Sequence, residues 1–167
     1  MLAWPALFGW GAGLLHIAIG AAVVSGTHDA TTTWVLAGLV ALGAVEIGWS
    51  TLWIVRERRR LSFAGIGLVV AAVALGGAAI GVGASSIAVG AGDLLTTVAA
   101  SIAVFRFRVR EPGRTAGSGR RPILDAIGLA LGALLVAGIV TPAASLTDAG
   151  LHAVSHEHSP GDPSHHH

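Results

Sequence analysis

This chain of 167 residues contains no cysteine, no tyrosine and no lysine. The missing thiols exclude disulfides, thiolate metal sites and cysteine redox chemistry. The missing amine excludes a Schiff-base lysine, and with it a retinal-linked pump. Charge is scarce as well: Asp, Glu, Lys and Arg together make up 11%, whereas soluble domains carry about a quarter. All ten cations are arginines within residues 56–60 and 106–121. The sequence pI near 9.1 therefore reflects local clusters and not a basic stripe, and no nucleic-acid partner is expected. Catalytic patterns are lacking too. No nucleophile stands beside a base, and the glycines from Gly9 to Gly13 fall inside an apolar segment where a phosphate cradle would be misplaced. The expectation is a protein that is not an enzyme.

What the chain does have is apolar length. Hydrophobic residues make up 53% and the mean hydropathy is +0.74, the profile of an integral membrane protein. Five apolar segments stand out, at 6–24, 33–55, 62–83, 86–105 and 123–141. Each is long enough, or nearly so, to cross about 30 Å of hydrocarbon as a helix. Only Gly83, Ala84, Ser85 and Ser86 separate the third from the fourth, so a tight helical hairpin is expected there, with one interrupted helix as the rival. The first segment has no basic residue before it and no small-residue cleavage site after it, and is read as retained rather than as a signal peptide.

Orientation follows from the arginines. Arg56, Arg58, Arg59 and Arg60 follow the second segment, and Arg106, Arg108, Arg110, Arg114, Arg120 and Arg121 lie between the fourth and fifth. Both loops should therefore be cytoplasmic, with the N-terminus inside and the C-terminus outside. Trp4, Phe8, Trp10, Trp49, Trp53, Phe63, Phe105 and Phe107 fall toward the arginine side and Trp34 toward the other, as an aromatic belt would place them. The expected fold is thus an all-α, polytopic integral membrane bundle of five transmembrane helices in the cell membrane. Residues 1–142 would form the bundle and 143–167 a His-rich tail on the outer face.

Three ionisable residues lie deep within the apolar segments: His16, Glu46 and Asp93. Such a group in hydrocarbon costs roughly 3 kcal/mol on insertion scales, so it usually has a partner and often a task. Gly9, Gly13, His16 and Gly20 share one helical face, which puts His16 in a groove a neighbouring backbone can approach. Leu42, Gly43, Glu46, Ser50 and Trp53 share the face of Glu46, and Ser86, Gly90, Asp93, Thr97 and Ser101 form a small, polar stripe. Gly77 with Gly81, and Gly128 with Gly132, are two more small pairs at four-residue spacing. The three ionisable groups serve either as a polar relay or metal ligand, or simply as a hydrogen bond that fixes helix packing. Glu46 and His16 are expected at mid-membrane and Asp93 at a different depth, nearer the outside. No haem is expected, because bis-histidine ligation needs a second histidine in the bilayer.

The tail carries the other cluster. Ser145 with Asp148 resembles a capping box opening a short amphipathic helix over 146–156. On that helix Asp148, His152 and His156 would form a row at four-residue spacing, followed by His158. Imidazoles at i and i+4 with a nearby carboxylate suit zinc or copper. His28, beside Asp29 in the loop after the first segment, lies on the same side and would join them if the tail folds back. The rival is a solvated helix on the membrane surface. His165, His166 and His167 are equally well read as a purification-tag remnant and carry no argument. The first functional expectation is therefore handling of copper or zinc at the outer face. The alternatives are a non-catalytic accessory subunit of a larger membrane respiratory or oxygenase complex, and a proton-coupled carrier of a small solute. The expected partners are the lipid bilayer and either such a complex or further copies of the chain.

Overall fold

The computed structural model describes residues 4–24, 28–55, 59–109 and 122–147. These form α1 (Trp4–Gly20), a 3₁₀ turn (Ala21–Val24), α2 (Ala30–Val55), α3 (Arg59–Gly81), α4 (Ser86–Val109) and α5 (Pro122–Ser145), with no strand among the described residues. Three helical stretches, Ala30–Val55, Phe63–Gly81 and Ser86–Phe105, are long and apolar enough to cross a membrane. Trp4–Gly20 and Leu129–Ser145 are shorter apolar helices.

Local chemistry sets the boundaries. Asp29 caps α2: its carboxylate accepts the N–H of Thr32 at 3.0 Å, and its carbonyl accepts both the N–H and the hydroxyl of Thr33. Accepting from Thr32 holds the Asp29 carboxyl below its usual range. At the end of α3, Gly83 takes a positive φ of 99°, while the N–H of Ala84 reaches the carbonyl of Ala79 and that of Gly83 reaches Ile80. This paired arrangement stops the helix at a residue where a side chain would be strained. Ser85 then accepts the N–H of Ala88 at 3.4 Å and opens α4. The outcome is the hairpin, and not an interrupted helix.

Two boundaries differ from the sequence expectation. α5 does not stop at residue 141 but runs through Pro142 to Ser145. Pro142 has no N–H for the carbonyl one turn back, so α5 continues through it at the cost of one helical hydrogen bond, and Ser145 donates its hydroxyl back to the carbonyl of Pro142 at 2.7 Å. Ser145 is thus the end of α5 and not the start of a new helix, and Leu146 and Thr147 are not helical.

Glycine positions fix the packing. A Cβ on Gly9 would run into the hydroxyl of Ser50, one on Gly13 would lie 2.6 Å from the carbonyl of Gly43, and one on Gly20 would lie 2.6 Å from that of Leu36. α1 and α2 therefore pack antiparallel, backbone against backbone, along the small face read from the sequence. The hairpin of α3 and α4 is antiparallel as well, with Gly65 against Ala100 and Gly76 against Val89. α5 runs parallel to α1, Gly132 facing Trp4 and Gly11 facing Val136 and Val140. Successive helices thus alternate in direction, which brings the α2–α3 and α4–α5 connections to one end of the bundle. Phe8, Leu15, Leu39, Trp49, Trp53, Val89 and Leu95 belong to one continuous core. Phe8, Trp49 and Trp53 are buried there, whereas Trp34, Phe63 and Phe105 stay exposed.

Candidate functional site

The centre of the bundle is polar. His16 on α1 has no exposed surface, and Glu46 on α2 is 1% exposed. They meet because Gly13 and Gly43 let the two backbones approach one turn away from each. His16 Nδ1 lies 2.8 Å from Glu46 Oε2, and the hydroxyl of Thr96 on α4 donates to Glu46 Oε1 at 2.7 Å. Both carboxylate oxygens are therefore engaged. One turn on, Ser50 donates to the backbone carbonyl of Glu46 at 2.7 Å, which keeps that hydroxyl satisfied within its own helix.

The other edge of the imidazole faces α4. A Cβ on Gly92 would lie 2.7 Å from His16 Nε2, so only glycine lets the ring sit against this helix. Beside it, Asp93 Oδ1 lies 3.6 Å from His16 Nε2. Both atoms are buried, and neither has a hydrogen-bonding partner. Asp93 is 22% exposed, which makes it the member of the centre nearest the outside of the bundle. The expectation that Asp93 lies at a different depth from the pair does not hold. α4 runs antiparallel to α1 at this point and brings the carboxylate level with the ring.

This geometry restricts where hydrogens can be. Where Glu46 is a carboxylate, which only accepts, Nδ1 carries the hydrogen of its bond to Glu46. A neutral imidazole would then present a lone pair at Nε2 to the lone pairs of Asp93 Oδ1. Two buried acceptors face to face repel, and each would also lack the hydrogen bond that offsets its desolvation. A hydrogen in the gap offsets both costs only when the two atoms draw closer than this 3.6 Å, which is beyond hydrogen-bonding reach. The site is thus a hydrogen-bonded His16–Glu46 pair with Asp93 facing the other edge of the ring across a 3.6 Å gap.

A metal fits less well. Nδ1 is already spent on Glu46, so Nε2 and Oδ1 alone face the gap, fewer donors than the three protein ligands of a zinc site that retains an open position. Among the described residues no group of three His, Asp or Glu side chains is arranged to hold a metal ion. His28 is exposed and lies 2.9 Å by its Nε2 from the carbonyl of Ala22, at the end of the 3₁₀ turn. Asp148, His152, His156 and His158 lie outside the described residues.

No protein-family model, curated protein or solved structure matches this chain. Function has to be argued from the geometry.

Two members of the centre escaped the sequence reading. Thr96 completes the coordination of Glu46, and Gly92 makes room for the ring. Thr96 lies one position off the polar stripe through Asp93 and Thr97, and three residues beyond Asp93, the spacing at which two side chains on a helix can serve one neighbour. The stripe itself points largely away from the core: Ser86, Gly90, Thr97 and Ser101 are exposed.

Proposed function

We propose that this chain is a multi-pass protein of the cell membrane whose five helices span the bilayer, basic loops inside and tail outside, and that it takes up and releases a proton at the His16–Asp93 gap. The observation that carries this is the pair of buried, partnerless atoms, His16 Nε2 and Asp93 Oδ1, facing each other at 3.6 Å. Nδ1 is fixed by Glu46, and Glu46 in turn by Thr96. Of the three, Asp93 alone keeps partial exposure, whereas Glu46 and His16 have almost none. Because His16 belongs to α1 and Asp93 to α4, gain or loss of that proton makes or breaks a tie between two helices.

The rival is a hydrogen-bonded cluster with no task beyond holding α1, α2 and α4 in register. Reconstitution into liposomes containing a pH-sensitive dye separates the two. Under an imposed pH gradient, vesicles with the wild type should lose the gradient faster than empty ones, and Asp93→Asn, which keeps the shape but not the acid, should slow that loss by about tenfold or more. Wild-type vesicles no leakier than empty ones would leave only the structural role.

A second proposal, metal handling at the outer face, is favoured by the four-residue spacing of Asp148, His152 and His156, with His158 and His28 as further donors. Equilibrium dialysis against zinc or copper checks it. Stoichiometric retention that disappears in His152→Ala with His156→Ala supports the site, and unchanged retention in that variant removes it.

A further inference from the structure

The groove between α3 and α4 is independent of the polar centre. It holds about 470 Å³ and is lined by Ile66 and Val69 of α3 and by Thr97, Ala100, Ser101 and Val104 of α4. Its walls are carbon apart from the two hydroxyls. Thr97 already donates its own to the carbonyl of Asp93 at 2.8 Å, so little hydrogen-bonding capacity is left for a polar occupant. The groove opens to the outside of the bundle, where the neighbouring Phe63, Ile66 and Phe105 are exposed.

Its position along the hairpin is informative. α3 and α4 are antiparallel, so the half of the hairpin that contains the groove is the half that starts at Arg59 and Arg60 and ends at Arg106 and Arg108. Ile66 lies six residues beyond Arg60, about 9 Å along a helix, and Phe105 directly precedes Arg106. Arg59, Arg60, Arg106 and Arg108 lie on the helix ends at this side, and the other six cations follow in the adjoining stretches of sequence, with Glu57 and Glu111. The combination is an apolar slot of hydrocarbon character running up to a strongly cationic rim.

We propose that the groove seats one acyl chain of an anionic phospholipid, with its phosphate drawn to the arginine-bearing end of the hairpin. The slot alone would accept any lipid tail, and the arginines alone would attract any anionic surface. Only their alignment selects a tail and a negative headgroup together. A second copy of the chain in the same orientation fits less well, because it would bring a second set of arginines, outnumbering Glu57 and Glu111, to the same rim. The inference requires α3 and α4 to lie in lipid but does not depend on the proton chemistry of His16.

The test uses the full chain in nanodiscs made from equal parts of phosphatidylglycerol and phosphatidylcholine, followed by gentle detergent extraction and native mass spectrometry. We expect one retained phosphatidylglycerol per chain, enriched over phosphatidylcholine by about tenfold. Retention should be lost when Ser101→Phe fills the slot, and the preference should fall toward parity in a variant with Arg59, Arg60, Arg106 and Arg108 all changed to Gln. Equal retention of the two lipids by the wild type would overturn the proposal. So would retention indifferent to Ser101→Phe, or a dimer that this substitution splits into monomers. A phosphatidylglycerol with a photoreactive acyl chain gives a readout on the wild type itself. Crosslinks should fall on the peptide from Thr97 to Phe105, and crosslinks confined to other helices would contradict the assignment.

Discussion

Glu46 is the residue on which the centre depends. Its two oxygens serve His16 and Thr96, so Glu46→Ala strips the buried imidazole of its hydrogen-bond partner and leaves the Thr96 hydroxyl only the carbonyl of Gly92, at 3.1 Å. Removing one partner of a buried charge pair costs about 3–5 kcal/mol, whereas a single hydrogen bond between membrane helices is worth about 0.6 to 1.7 kcal/mol. Reversible unfolding in mixed micelles should therefore show a loss of about 3 kcal/mol for Glu46→Ala and about 1 kcal/mol for Thr96→Val. Equal losses would mean that Glu46 is held by one bond only. The charged residues of the centre were legible in the sequence because ionisable groups are rare within apolar segments. Their meeting was not, because a contact between α1 and α4 depends on the direction in which each helix runs. Thr96 and Gly92 were not legible either, since threonine and glycine are ordinary in such helices and only the neighbour across the interface gives them a role.

At the scale of the helix, glycine spacing shows both how far sequence reaches and where it stops. Gly9, Gly13 and Gly20 form the face of α1 that packs on α2, as their spacing implies, while Gly77 and Gly81 share the same four-residue spacing and have nothing within 4 Å of a Cβ. The spacing reports which residues share a face but not what lies opposite. The consequences for substitution are opposite in sign. Gly43→Leu must push into the Gly13 backbone and should cost about 1–3 kcal/mol or more, whereas Gly77→Ala meets no neighbour and should stabilise by about 0.5–1 kcal/mol through helix propensity. Chemical denaturation of the two variants checks both signs. The cap of α2 adds a pH dependence. The Asp29 carboxyl is held below its ordinary range by accepting from Thr32, so its contribution is complete above the unfolded value. That contribution is lost as pH falls through the lower folded value. The protection factor at Thr32, corrected for the intrinsic pH dependence of amide exchange, should fall on acidification toward the lower value that Asp29→Ala shows at neutral pH.

For the molecule as a whole, the arginine clusters and the direction of the helices agree. Alternating helices bring the α2–α3 and α4–α5 connections to one end, and those connections and the helix ends beside them contain all ten arginines. The all-helical fold with long apolar helices was legible from hydropathy, because a chain in hydrocarbon must satisfy its backbone internally. The extent of α5 was not, since a proline reads as a helix stop in sequence, whereas here the helix continues through Pro142 to Ser145. A cysteine introduced at Trp34, in a chain that has none of its own, should be modified by a membrane-impermeant maleimide on intact cells. One introduced at Gly113, between the arginines, should react only after lysis. The reverse pattern would invert the orientation proposed for the bundle.

The claim on which the account turns is a shared hydrogen between His16 and Asp93. Nitrogen-15 NMR of histidine-labelled protein in nanodiscs, with the His16 signals identified by their loss in His16→Gln, observes it directly. The account predicts a hydrogen-bonded Nε2 whose resonance moves in Asp93→Asn, while the Nδ1 resonance keeps its bond to Glu46. An Nε2 with a free lone pair across the whole pH titration, unchanged by Asp93→Asn, would contradict it.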